Sequence, residues 1–134
     1  MTSPTPTERV RKVYDDFARR DIAAIIAALT NDVTWIVHGP DGAGYFGRYA
    51  GKAGVARWAE QLAAHVVVDR LAIRRIVADG DWVVAIGDFA ATALATGRGY
   101  QTAFAHVWQV RGDRIAAFED FFDTTAAVAA AAGR

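Results

Sequence analysis

From Val10 onward, apolar positions recur with helical spacing: Val10, Val13, Tyr14 and Phe17 fall on one face. The pattern predicts a first helix with Thr7 as its N-cap, after a frayed lead-in over residues 1–6. Tyr14 then points inward with the core residues. Asp21 is placed to cap a second helix with the stripe Ile22, Ile25, Ile26 and Leu29, ended by Thr30-Asn31-Asp32. Residues 33–38 are β-branched and aromatic and read as a strand. A glycine-rich segment, 39–54, leads into a third helix over about 55–64, and the remainder reads as strands 66–78, 82–95, 99–111 and 115–123. Asp79-Gly80-Asp81 supplies a tight hairpin turn, Ala95-Thr96-Gly97 a break, and the alanine-rich tail 124–132 a short helix. Helices first and a long antiparallel meander after them predict one α+β domain over residues 7–134, without repeats or a linker.

Composition narrows the class. A chain of 134 residues with 53% hydrophobic content buries a substantial core without disulfides. Fifteen basic and 15 acidic residues cancel, and no basic stripe exists, so nucleic acid and anionic membrane surfaces are not expected partners. The absence of cysteine excludes a disulfide-stapled secreted scaffold. The start, MTSPTPTERV, lacks an apolar signal segment, and no run approaches the ~20 apolar residues of a membrane span. A cytoplasmic location is the expectation. The preference for arginine over lysine, with abundant alanine, points to a GC-rich bacterial genome.

The chemistry concentrates in Gly97 to Asp123. His106 stands among Phe104, Val107 and Trp108, and Asp120 among Phe118, Phe121 and Phe122. A buried carboxylate costs several kcal/mol unless it is paired or protonated, and such costs are kept chiefly at functional sites. The hairpin admits two registers. A two-residue turn at Gly112-Asp113 pairs Arg111 with Arg114 and sets His106 opposite Glu119. A three-residue turn through Arg114 pairs Arg111 with Ile115 and sets His106 opposite Asp120. The second segregates polarity better: Phe104, His106, Trp108, Val110, Ala116, Phe118, Asp120 and Phe122 share one face, and Gln109, Arg111 and Glu119 take the other. Asp88 alternates with Trp82, Val84 and Ile86, so it too is expected on an apolar face. His38 closes its strand before Gly39-Pro40, at the expected rim.

Other motifs do not hold. Gly42, Gly44 and Gly47 match a dinucleotide-binding spacing, but no parallel βαβ unit surrounds them. Gly51-Lys52 lacks the remainder of a phosphate loop, and Arg111-Gly112-Asp113 reads as a turn. His38, His65 and His106 lack metal-ligand spacing, so no metal is expected.

The segments GRYAGK (47–52), TGRGY (96–100), AHVWQV (105–110) and FEDFFDT (118–124), with the element order above, resemble the NTF2-like superfamily, which includes ketosteroid isomerases and SnoaL-like polyketide cyclases. The resemblance covers nearly the whole chain. It implies a cone-shaped curved antiparallel sheet wrapped around three N-terminal-half helices, an α+β barrel with an apolar pocket, and a homodimer. It implies Asp120 as general base for enolisation, aldol cyclisation or isomerisation of a small apolar carbonyl compound, with no cofactor. His106 would orient Asp120 or donate to the enolate, and Tyr14 would be the oxyanion donor. Trp35, His38, Trp58, Phe104, Trp108, Phe118 and Phe122 are the expected substrate contacts. The tail also resembles limonene-1,2-epoxide hydrolases, whose two aspartates map onto Asp88 and Asp120. The arginine of their relay would be Ile86 here, which makes hydrolysis the second reading. A non-catalytic ligand-binding module is the third.

Overall fold

In the computed structural model, which describes residues 3–134, helix α1 (Pro6–Ala18) starts on a capping box. Thr5 Oγ1 accepts from the Glu8 backbone N–H at 3.1 Å, and the Thr5 N–H donates to Glu8 Oε1 at 3.2 Å. Thr5, not Thr7, is therefore the N-cap, with Pro6 in the first turn where its missing N–H costs nothing. The expected lead-in shortens accordingly, and its first two residues lie outside the described ones.

Helix α2 (Ile22–Ala27) is capped by Asp21 as expected, but Leu29 to Asp32 do not extend or terminate it. They already belong to strand β1 (Leu29–Val37), where Leu29 pairs with Ile115. The glycine-rich segment holds a short strand β2 (Gly47–Ala50), and helix α3 (Gly51–His65) follows at once, four residues ahead of Val55. Strands β3 (Val66–Asp79), β4 (Trp82–Ala93), β5 (Gly99–Arg111) and β6 (Arg114–Phe122), then helix α4 (Thr124–Ala131), complete the chain. No helix among the described residues is long and apolar enough to cross a membrane.

The six strands form one curved, unclosed sheet in the order β2-β1-β6-β5-β4-β3. It is not wholly antiparallel. β1 and β6, the first long strand and the last, run parallel in the middle of the sheet. Its inner face packs on α1 and α3 through Val10, Val13, Val55, Trp58 and Leu62 against Trp35, Val83, Trp108 and Phe118.

The last hairpin departs from the expected three-residue turn but keeps the expected pairing of His106 with Asp120. Its turn holds two residues, so Arg111 pairs with Arg114 and Val110 with Ile115. The register then shifts, Gln109 pairing with Ala117, which leaves Ala116 as a bulge. Beyond the bulge His106 faces Asp120. The extra residue buries Ile115 and Ala116 together and restores the aromatic face.

β4 presents its other face to the core. Val83, Ala85, Gly87, Phe89 and Ala91 point inward, while Trp82, Val84, Ile86 and Asp88 point out. At Gly87 the inner position is bare because the Phe104 ring fills the space opposite. A Cβ on Gly87 would stand 2.1 Å from the Ala72 carbonyl oxygen and 2.7 Å from the Phe104 ring.

Candidate active site

The concave side of the sheet and helices α1 and α3 enclose a narrow apolar cavity with about 60 Å3 of free space for the centre of a water molecule. β5 and β6 bring His106 and Asp120 to its wall, and α1 brings Tyr14. These side chains form a directed chain of polar contacts. Trp108 Nε1–H donates to the Tyr14 hydroxyl oxygen at 3.0 Å, and that hydroxyl lies 2.6 Å from His106 Nδ1. His106 Nε2 stands 3.1 Å from Asp120 Oδ1. Facing a carboxylate, Nε2 carries the ring hydrogen, so Nδ1 is bare and accepts from Tyr14. The ring is clamped between Phe104, stacked at 3.9 Å, and Tyr14 at 5.8 Å, with Phe118 edge-on at 5.0 Å.

The Nε2–Asp120 contact is close but out of line, so buried Oδ1 has no aligned donor. Catalytic hydrogen bonds are often poorly aligned before substrate is present. Burial, opposed in part by the hydrogen bond from Trp108 and reinforced by the nearby Asp120 charge, pushes the Tyr14 hydroxyl pKa well above 10, so Tyr14 stays neutral. Among the described residues no three His, Cys, Asp or Glu side chains cluster as metal ligands.

A model of the SnoaL-like domain matches residues 10–118. The chain belongs to the SnoaL-like family. No curated protein matches it. Among solved structures, an NTF2-like protein of unknown function from Burkholderia pseudomallei is 34% identical, with a TM-score of 0.81 over 90% of this chain and 92% of that one. TerC, co-crystallized with polyporic acid, is 30% identical, with a TM-score of 0.84 over 96% and 99%. A candidate polyketide cyclase from Pseudomonas putida shares the fold at 21% identity, with a TM-score of 0.78 over 96% and 98%.

In this SnoaL-like domain the cavity gathers Tyr14, Trp35, Trp58, Phe104, His106, Trp108, Phe118, Asp120 and Phe122. Two expected site residues lie elsewhere. Asp88 points from the outer face of β4 and pairs with Arg74 Nε at 2.8 Å. His38 also faces outward, where its Nε2 meets Glu119 Oε1 at 2.8 Å and its ring stacks on Phe121. Neither reaches the cavity, so Asp88 is removed from the catalytic set and His38 from the substrate contacts. With Asp88 on the far side and no arginine lining the cavity, the two-aspartate relay of an epoxide hydrolase has no geometric basis.

Tyr45, Phe89, Val13, Phe17 and Leu71 also line the cavity, although none of them is among the expected site residues. Phe89 was signalled by the alternation of β4, read on the wrong face. Tyr45 was hidden in the glycine-rich segment. Its backbone runs so close to α3 that a Cβ on Gly44 would stand 2.2 Å from the His65 ring.

Proposed function

We propose that this SnoaL-like domain is a cofactor-independent acid/base enzyme acting on a small apolar carbonyl compound, with Asp120 as the general base. The observation that carries the reading is Asp120 Oδ1, a buried acceptor without an aligned donor, on the wall of an otherwise apolar cavity. Buried acceptors without an aligned donor are rare in folded proteins, and a catalytic role is one of the few reasons to keep one. In the proposed step the Asp120 carboxylate takes a proton from the carbon next to a carbonyl. The C–H electron pair becomes the carbon–carbon double bond of an enolate, and the negative charge moves to the carbonyl oxygen. Attack of the enolate carbon on a second carbonyl of the same molecule gives aldol closure, and reprotonation at another carbon gives isomerisation. His106, held by Tyr14, keeps its Nε2–H toward Asp120 and orients the carboxylate. TerC, 30% identical and co-crystallized with polyporic acid, supports a small organic molecule as the occupant of the cavity.

The test is solvent deuterium exchange at the carbon next to the carbonyl, followed by NMR on aryl ketones such as α-tetralone. The wild-type chain is expected to accelerate exchange, and Asp120→Asn to lower the rate by about 10²–10⁴-fold. Exchange equal in the two proteins overturns the reading.

A second copy of the chain is proposed as partner, seated on the outer face of the sheet. Val77, Trp82 and Phe121 are exposed there, beside the Arg74–Asp88 and His38–Glu119 pairs, a mixed apolar and polar surface suited to its own copy. Sedimentation equilibrium is expected to give a dimer that Trp82→Arg converts to monomer.

A further inference from the structure

The hydrogen inventory of the cavity wall assigns different work to its two inward tyrosines. Tyr14 has one hydroxyl hydrogen, and His106 Nδ1 takes it. Its oxygen already accepts from Trp108. A substrate oxygen therefore gains the Tyr14 hydrogen only by stripping His106 of the bond that fixes its tautomer.

Tyr45 is placed otherwise. Its hydroxyl lies 2.8 Å from that of Tyr100, and both residues are buried. Two hydroxyls carry two hydrogens, and their mutual bond uses one. Neither oxygen has another hydrogen-bond partner among the described residues, so one O–H is uncommitted. Tyr45 lines the cavity. Tyr100 instead lines a separate groove of about 350 Å3 under α4, with Ala43, His65 and Ala127. The tyrosine pair thus joins the two spaces. Asp120 is close enough that its charge acts on both hydroxyls, which favours a hydrogen turned toward the cavity. Burial pushes the Tyr45 pKa far above its ordinary value, so the group remains a neutral donor across the working range.

The wall has a further donor surplus. Trp35 and Trp58 border the same cavity, and neither indole N–H has an acceptor. Uncommitted donors on this wall outnumber Asp120 Oδ1, the one uncommitted acceptor among the described residues that border it. A ligand suited to such a wall offers an oxygen acceptor to Tyr45 and an acidic hydrogen to Asp120.

We infer that Tyr45, receiving a hydrogen bond from Tyr100, is the hydroxyl that donates to the substrate oxygen as negative charge develops there, and that Tyr14 is a positioning residue for His106. The inference rests on the reading of Asp120 as base and replaces the donor expected from the resemblance. During proton abstraction the Tyr45 O–H stabilises the enolate oxygen without giving up its proton, and the hydrogen bond from Tyr100 stabilises the negative charge that the Tyr45 oxygen gains as it donates.

The probe is para-nitrophenol, whose ionised form absorbs at longer wavelength and mimics an enolate oxygen. Binding in which its proton passes to Asp120 leaves a phenolate facing the donor. Wild type is expected to bind it with growth of the phenolate band. Tyr45→Phe is expected to weaken phenolate binding roughly 10- to 100-fold. Tyr100→Phe is expected to reduce the ionised fraction several-fold, and this variant carries the test if Tyr45→Phe does not fold by circular dichroism. Tyr14→Phe is expected to stay within about threefold in phenolate binding while slowing ketone exchange through His106. The inference is overturned by wild type binding no phenolate, by Tyr45→Phe or Tyr100→Phe matching wild type, or by Tyr14→Phe taking the large loss. Ketone exchange in Asp120→Asn judges the base separately. A normal loss there with no effect of Tyr45→Phe on phenolate sinks the donor assignment alone.

Discussion

Two histidine–carboxylate pairs stand side by side on this sheet, and successive residues of β6 supply their acids. Glu119 meets His38 on the outer face, with the two side chains 36% and 42% exposed. Asp120 meets His106 on the inner face, 18% and 7% exposed. The chemical groups match, and the distances, 2.8 and 3.1 Å, favour the outer pair slightly. What differs is what each pair can exchange with. The outer pair is wet, so water substitutes for either partner and the contact contributes about 0–1 kcal/mol. The inner pair is enclosed by Phe104, Trp108 and Phe118, and its histidine is anchored from behind by Tyr14. A polar group there has far fewer partners to satisfy it than one in open solvent. The contrast identifies a site by enclosure and unmet valence, not by residue type.

The largest effect should separate the two acids. Asp120→Asn is expected to cost about 10²–10⁴-fold in ketone exchange, and Glu119→Gln less than about twofold. Equal losses would show that the face of β6 does not matter and that the enclosed cavity is not where the reaction occurs.

The next contrast concerns the anchor. Tyr14→Phe removes the donor to His106 Nδ1 and the acceptor for Trp108 Nε1–H, leaving two buried groups unmatched. Each such loss costs about 1–3 kcal/mol, so denaturant unfolding should report a destabilisation in that range or above it. The corresponding loss on the outer face, His38→Gln, should be within about 0.5 kcal/mol.

Alkaline pH sharpens the same contrast through the tyrosines. Burial raises the pKa of Tyr14, Tyr45 and Tyr100 above their ordinary value of 10.0. The native state then holds protons that the unfolded chain releases near pH 10. Below that pH both states are neutral at these groups and stability is unaffected. Above it the unfolded state binds fewer protons, and stability falls as pH rises, by up to about 1.4 kcal/mol per pH unit for each tyrosine. Urea midpoints between pH 9 and 11 should follow this slope, and Tyr14→Phe should make it shallower by the share of one tyrosine.

Much of this arrangement is written in the sequence, although not always for the expected reason. The pairing of His106 with Asp120 follows from segregating polar and apolar positions across the last hairpin. The turn that was to produce it does not exist. A two-residue turn and a bulge at Ala116 reach the same register, because burying Ile115 beside Val110 is worth more than an unbroken ladder. Alternation misleads on β4, where the outer face carries Trp82, Val84 and Ile86 and the inner face carries Val83, Ala85 and Gly87. Hydrophobicity marks the wrong side there, since size inside is limited at Gly87 by the Phe104 ring from the next strand. That constraint is tertiary and has no local signal. The Thr5–Glu8 capping box was local and legible, and the pull of the apolar stripe displaced it to Thr7. Tyr45 shows the opposite limit, since a glycine-rich loop has no alternation from which a cavity-lining residue could be read.

The smallest effect is expected at Asp88, and its smallness is informative. Its sequence setting is close to that of Asp120: a carboxylate in a strand, among Ile86, Phe89 and Trp82. Its structural setting is that of Glu119, half exposed and paired with Arg74, itself 54% exposed. An exposed pair of this kind gains little from Coulomb attraction and loses side-chain freedom when it forms. Asp88→Asn should therefore change unfolding free energy by no more than about 0.5 kcal/mol, and added salt should erase the difference. Ketone exchange should remain within about twofold of wild type, because the carboxylate stands on the far side of the sheet from Asp120. A loss of exchange comparable to that of Asp120→Asn would mean that charge on the outer face governs the cavity through the sheet, and the separation of the two faces would fail as the basis for locating the site.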